Sequence, residues 1–281
     1  MGYETISVSP NTGALGAEVS GVDLSQPLDG RVVAEIRRAL LENLVLVFRN
    51  QNITPEHHKA FAASFGELDI HPYSVPLAGH PEILEIVKEK DDRVNFGGGW
   101  HADMTYIETP PLGVVLVARE LPPRGGDTLF ANLYAAYDAL SDAMKQRLEG
   151  MQGVHDAGAT YGATGTKSRE NQSTKVVITG QAQHSATHPV VRTHPETKRK
   201  SIFVNDGHTV ALQGFSKQES KALLSFLFEH CEKHEFAFRL SWTEGTVVIW
   251  DNRCTHHMAL NDYHGHRRVI HRVVIRGDRP Y

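Results

Sequence analysis

The chain has 281 residues, a formal net charge of −4 and a hydrophobic fraction of 40 %. That length can bury a sizeable core, the ordinary apolar and charged fractions exclude a disordered or fibrous chain, and the acidic balance argues against a general nucleic-acid binder. Cys231 and Cys254 make no disulfide framework, the first residues lack a basic-then-apolar run, and no apolar stretch reaches bilayer length, so a cytoplasmic protein without a membrane partner is expected.

Residues 5–24 read as short strands broken by turns, with Ile6 and Val8 alternating and Gly13 and Gly16 as punctuation. Val33, Ile36, Leu40 and Leu44 recur at helical spacing, and Leu44 to Phe48 reads as a buried strand. Thr54 is the N-cap and Pro55 the first residue of a helix that Ala60, Phe61 and Phe65 carry to Gly66. Strands are expected at 83–87, 113–117 and 128–130. Leu133, Tyr137, Leu140, Met144 and Leu148 align on one face of a helix over 133–149. Residues 156–187 are polar and aperiodic, as expected of a long functional loop or lid. Strands resume at 189–191 and 202–204, Ser216 and Glu219 form a capping box opening a helix over 217–231, and strands follow at 236–240, 246–250 and 269–275. The pattern is that of one mixed, strand-rich domain without repeats or linkers.

The chemistry concentrates in Trp100-His101-Ala102-Asp103-Met104-Thr105, directly after Gly97, Gly98 and Gly99. In extended backbone, residues two apart share a face, so the His101 imidazole and the Asp103 carboxylate could reach one point. Such pairs are common by chance, and alone this one reads as a turn residue beside a surface carboxylate. Its weight comes from Trp250-Asp251-Asn252-Arg253-Cys254-Thr255-His256-His257, followed by Arg267, Arg268 and Arg272. A distant histidine completing the pair makes a two-histidine, one-carboxylate set, which binds non-haem Fe(II) and leaves positions open. The arginines add a fixed cation for an organic carboxylate.

The chain resembles the taurine/aryloxyalkanoate dioxygenases, which use Fe(II), 2-oxoglutarate and dioxygen. The resemblance is carried, in order, by Gly16-Ala17-Glu18-Val19-Ser20-Gly21-Val22-Asp23-Leu24, Phe65-Gly66-Glu67-Leu68, Trp100 to Asp103, Gly125-Gly126-Asp127-Thr128-Leu129 and Trp250-Asp251-Asn252-Arg253. It implies a mixed α/β fold with a mainly β core, a double-stranded β-helix (jelly roll) with flanking helices, forming a single domain over 1–281. It also implies a homo-oligomer, dimer or tetramer. His101 and Asp103 become metal ligands. Chemistry cannot separate His256 from His257 as the third, but the family pattern places it at the eighth residue of the Trp-Asp-Asn-Arg block, His257. Arg268 and Thr128 match the residues that grip 2-oxoglutarate. Arg272, four residues on and on the same face of an extended strand, would hold the substrate's acidic group with His71, beside Tyr73 and Met104.

Plainer readings apply elsewhere. Arg267 is a surface cation and His256 a bystander. His184, His188 and His194 lack a carboxylate at ligand spacing and are structural, and Asp251 and Asn252 orient the turn before His257. The expected activity is oxidation of a small acidic organic substrate. A non-catalytic barrel binding a small anion through Arg268, Arg272 and His71 would not need the full ligand set, and a zinc hydrolase would not need a carboxylate clamp. Gly97 and its neighbours stand where the taurine enzymes are rich in Asn, and Ser74 stands where they carry an aromatic. The pocket is therefore expected to be roomier and less able to satisfy an ammonium. A sulfonate, sulfate ester or aryloxyalkanoate without a required amine follows.

Overall fold

The computed structural model describes residues 2–161, 173–174 and 184–281. Strands dominate, as the patterning predicts. The largest sheet runs Ser7–Pro10, Ala17–Ser20, Val45–Phe48, Val247–Asp251, Gly113–Glu120, Arg268–Ile275, His80–Lys88 and Pro76–Leu77, with Leu68–Asp69 paired to Arg268–Ile275. Thr128–Asn132 sits between Ala237–Leu240 and Thr255–Ala259 in a second sheet. Gln152–Asp156 sits between Ser185–Pro189 and Thr209–Leu212 in a third.

The period-two rule explains how one sheet serves two cores. Val45, Val47, Val114, Leu116, Val248 and Trp250 point to one side, where they meet Phe130 of the second sheet and Phe238, Leu240 and Trp242. Leu46, Phe48, Val115, Val117, Val247 and Ile249 point to the other, where they meet Ile36 and Leu40 of helix Gly30–Asn43 and Phe61 of helix Pro55–Ala63. Strands buried on both faces read as unbroken apolar runs. A third core lies between helix Lys217–Cys231 and Leu133, Val190, Ile202 and Val204.

The helix boundaries follow their caps. Asp29 accepts from the Arg31 and Val32 amides, and Thr54 and Ser216 form capping boxes with His57 and Glu219. Helix Pro55–Ala63 stops short of Gly66. The helix expected over 133–149 is two helices, Leu133–Asp138 and Asp142–Leu148, because the Ser141 hydroxyl accepts the Met144 amide and starts a second N-terminus. The periodicity survives because both pieces pack on the same core.

The strands expected at 189–191 and 202–204 are Val191–Thr193 and Lys200–Ile202, paired with each other. Of the expected lid over 156–187, residues 162–172 and 175–183 lie outside the described residues. Its flanks are a helical turn at Gly158–Tyr161 and the strand Ser185–Pro189. No helix among the described residues is long and apolar enough to cross a membrane.

Candidate active site

His101 and His257 are bridged backbone to backbone, His101 N–H to His257 O at 3.0 Å and His257 N–H to His101 O at 2.8 Å. This bridge ties the glycine-led segment to strand Thr255–Ala259, and the two imidazole centroids lie 4.2 Å apart. Asp103 does not continue an extended strand. The chain turns over 103–106, with Met104 at φ 50°, so the turn brings the carboxylate to the histidines. His101 Nε2 lies 3.7 Å from Asp103 Oδ1, and His257 Nε2 lies 3.8 Å from Asp103 Oδ2. Ligand atoms of the three residues all fall within 4.8 Å of one another, and all three residues are buried.

These donors fit a divalent metal. His101 Nδ1 lies 2.7 Å from Gly99 O, which assigns the proton to Nδ1 and leaves the Nε2 lone pair facing Asp103. Two imidazole nitrogens and one carboxylate on one side suit Fe(II) with open positions. Gly207 is required beneath them, since a Cβ there would stand 2.8 Å from His101 Cβ.

The register separates the two adjacent histidines. His257 lies opposite Phe130 and Ala259 opposite Thr128, and Thr128, His257 and Ala259 line one cleft with His101, Asp103, Arg268 and Arg272. The cleft holds about 440 Å³ counting its open mouth. His256, one residue away, faces opposite. It is fully buried, and burial together with the nearby His101 pushes its pKa down to about 3.

Arg268 and Arg272 share the cleft face of strand Arg268–Ile275. Arg268 is buried against aromatic rings, its guanidinium carbon 5.7 Å from the Trp242 centroid and 5.9 Å from that of Tyr263. Its Nε has no hydrogen-bond partner. Thr128 Oγ1 accepts the Trp242 indole N–H at 3.0 Å, so its own hydrogen can turn to an anion in the cleft. A buried guanidinium beside a free hydroxyl hydrogen fits the distal carboxylate of a 2-oxo diacid. Arg267 instead points outward and pairs with Glu89 and Glu120.

Arg272 Nη2 lies 2.9 Å from Asp103 Oδ2, so the second cation has a carboxylate partner that its spacing did not reveal. His71 is buried, and burial, reinforced by Arg272, pushes its pKa down to about 3. Its Nδ1 accepts from the Tyr73 amide at 3.2 Å and faces the Ser74 hydroxyl at 2.9 Å. The neutral ring therefore carries its proton on Nε2. Tyr73 stacks on Tyr161 with centroids 4.8 Å apart and leans on Tyr106, and Met104 is buried in the same cluster.

Several supporting residues have roles no spacing foretold. Asn252 Oδ1 accepts the Asp103 amide at 2.8 Å, and its Nδ2 donates to Asp103 O at 3.0 Å. Asp251 does orient its own turn, accepting the Arg253 amide at 3.0 Å. It also meets the Arg253 guanidinium and His194 Nε2, so His194 has the carboxylate it lacks in sequence. Burial acts to raise the Asp251 carboxyl, but Arg253 and His194 outweigh it and hold it well below the usual carboxylate range. His188 Nε2 meets Ile107 O at 3.0 Å, a structural contact, whereas His184 touches the Tyr73 hydroxyl.

A family model for the taurine catabolism dioxygenase TauD, TfdA family matches residues 7–274. A protein named alkylsulfatase from Acinetobacter baylyi is 38 % identical over 271 residues, which cover 95 % of this chain and 84 % of that one. A crystal structure of a taurine dioxygenase from Burkholderia xenovorans superposes with a TM-score of 0.81 at 35 % identity, covering 99 % of this chain and 91 % of that one. The structure of AAD-2 in complex with Mn(II) and N-oxalylglycine gives a TM-score of 0.77 at 29 % identity, covering 99 % of both chains.

Proposed function

The chain belongs to the taurine catabolism dioxygenase TauD, TfdA family, and on that premise we propose that its cleft oxidises a small acidic organic substrate with Fe(II), 2-oxoglutarate and dioxygen. One observation carries the reading: His101, Asp103 and His257 converge in the cleft whose wall bears Arg268 and Arg272. When bound, iron and 2-oxoglutarate supply the oxidising power, with 2-oxoglutarate leaving as succinate and carbon dioxide and one oxygen entering an aliphatic C–H bond.

The protein's own groups bind and orient. His101, Asp103 and His257 hold the metal, and Asn252 holds the Asp103 backbone. Arg268 and Thr128 hold the distal carboxylate of 2-oxoglutarate. Arg272 keeps a cation beside the Asp103 carboxylate and offers its remaining donors to the substrate's acidic group, while His71 Nε2 adds a neutral donor. Tyr73 and Met104 form part of the substrate wall.

The substrate proposed is an alkyl- or aryl-linked sulfonate, sulfate ester or aryloxyalkanoate without a required amine. The alkylsulfatase relative supports it, as does the apolar part of the cleft lining, where Ile86, Phe96, Leu116, Trp250 and Ile270 surround the two arginines. Hydroxylation at the carbon bearing the sulfonate sulfur, the sulfate ester oxygen or the aryl ether oxygen leaves a product that breaks that bond, releasing sulfite, sulfate or a phenol respectively and leaving a carbonyl. We read the facing sheets as a double-stranded β-helix and residues 1–281 as one domain, an interpretation supported by the core that Phe130 and Trp250 share. A cytoplasmic homo-oligomer is part of the same reading, and the unpaired Cys231 and Cys254 are in keeping with a reducing compartment.

The test is a panel of such acids plus taurine, scored by substrate-dependent succinate formation with Fe(II) and ascorbate. A sulfate ester, sulfonate or aryloxyalkanoate without an amine is expected to lead. Taurine as the clear best substrate would overturn the amine argument, and a neutral best substrate would overturn the role of Arg272.

A further inference from the structure

Strand His80–Lys88 runs antiparallel beside Arg268–Ile275, with Lys88 opposite Arg268, Ile86 opposite Ile270 and Leu84 opposite Arg272. Residues directly opposite in an antiparallel pair present their side chains on the same face. Ile86, Arg268, Ile270 and Arg272 all line the cleft. Lys88 therefore belongs to that face, beside the arginine assigned to the cosubstrate. It is 2 % exposed, and its Nζ is buried without a hydrogen-bond acceptor.

What Lys88 does touch is Tyr263, with Nζ 4.7 Å from the ring centroid. The Arg268 guanidinium carbon is 5.9 Å from the same centroid, and Arg268 Nε also lacks an acceptor. Two cations thus share one aromatic ring, and neither has its hydrogen bonds filled. A cation over a ring is only weakly stabilised, whereas removing an ammonium from water costs considerably more. Like charges opposite each other on neighbouring strands add repulsion. One anion between them would offset both costs.

We propose that Lys88 is a second cation of the cosubstrate pocket, acting with Arg268 on the distal carboxylate of a dicarboxylic 2-oxo acid. The assignment rests on the reading of Arg268 as the cosubstrate's clamp. It makes Lys88 a specificity determinant, since a 2-oxo acid lacking the second carboxylate gains nothing from it.

The test is anaerobic titration of the Fe(II) enzyme with 2-oxoglutarate and, separately, 2-oxobutyrate, followed by the visible charge-transfer band, with thermal melts alongside. Lys88→Met keeps an unbranched apolar chain near Tyr263 and removes the charge. It is expected to weaken 2-oxoglutarate about tenfold, the scale of a charged hydrogen bond, and to leave 2-oxobutyrate unchanged. Lys88→Arg should retain most of the 2-oxoglutarate affinity. Unchanged 2-oxoglutarate affinity in Lys88→Met overturns the proposal, as does an equal loss for both acids with a lowered melting temperature, which marks a packing role. A wild-type enzyme with no 2-oxoglutarate-dependent band overturns the reading of the cosubstrate pocket itself.

Discussion

Asn252 brackets the backbone of Asp103, accepting its amide N–H at 2.8 Å and donating to its carbonyl at 3.0 Å across 149 positions of sequence. The backbone of the proposed carboxylate ligand is therefore held by a side chain outside the proposed ligand set. Partners of this kind fix ligand direction, and losing one costs about 10–100-fold in metal affinity. Asn252→Ala is expected to weaken Fe(II) or Co(II) binding on that scale. Asn252→Asp should do nearly as badly, because a carboxylate cannot donate to Asp103 O. Metal titration of the purified variants decides this, and affinity equal to wild type in Asn252→Ala would refute it.

The two adjacent histidines should separate cleanly. His257→Ala is expected to abolish the band formed by anaerobic Fe(II) and 2-oxoglutarate, while His256→Ala keeps it, because only His257 faces the cleft. Loss of the band in His256→Ala with retention in His257→Ala would reverse the ligand assignment.

Arg268→Ala should raise the 2-oxoglutarate concentration required for half-saturation by about 10–100-fold, from the charged hydrogen bond lost. Arg268→Lys should rescue only partly, since an ammonium lacks the planar fork. The measurement is the dependence of succinate formation on 2-oxoglutarate. An unchanged requirement in Arg268→Ala would remove this residue from the site.

Acid should destabilise the fold in a predictable window. His58 is buried, its Nε2 3.1 Å from Val115 O, and burial pushes its pKa down to about 3. Burial does the same to His155, also down to about 3. Both are neutral in the folded state where the unfolded chain takes up protons near the ordinary pKa of about 6.5. Their contribution is thus complete above about pH 6.5 and is lost as pH falls toward 3, by up to about 1.4 kcal/mol per pH unit for each. Urea unfolding between pH 7 and pH 5 should show this slope, shallower in His58→Gln by one proton. An identical slope in His58→Gln would show that His58 is not the group responsible.

The local features were legible because their signals are local. Thr54-Pro55 and Ser216-x-x-Glu219 announce helix starts through groups three residues apart, and both capping boxes form. The apolar run Val45 to Phe48 announces a strand buried on both faces. The five ordered motifs identified the family, and the three residues they proposed as ligands, His101, Asp103 and His257, are brought within 4.8 Å of one another. The break at Ser141 is not marked by the apolar pattern, because the spacing of 133–148 is the same for one helix or two packed on one core.

Other features depend on pairing between distant segments, for which a single sequence carries no local signal. The sequence supplied His101 and Asp103 two residues apart. It did not say that a turn, rather than a strand, brings the carboxylate to the imidazoles, nor that Asn252 holds that turn. It placed Arg268 and Arg272 on one face by their even spacing. Which partner each would meet was decided by registers between strands far apart in the chain, which set Lys88 opposite Arg268 and leave Arg272 against Asp103. Composition and spacing thus determined which functional groups this protein owns. Tertiary packing determined their neighbours, because the energy of a buried charge depends on the groups within a few ångströms of it, and folding draws those from anywhere in the chain.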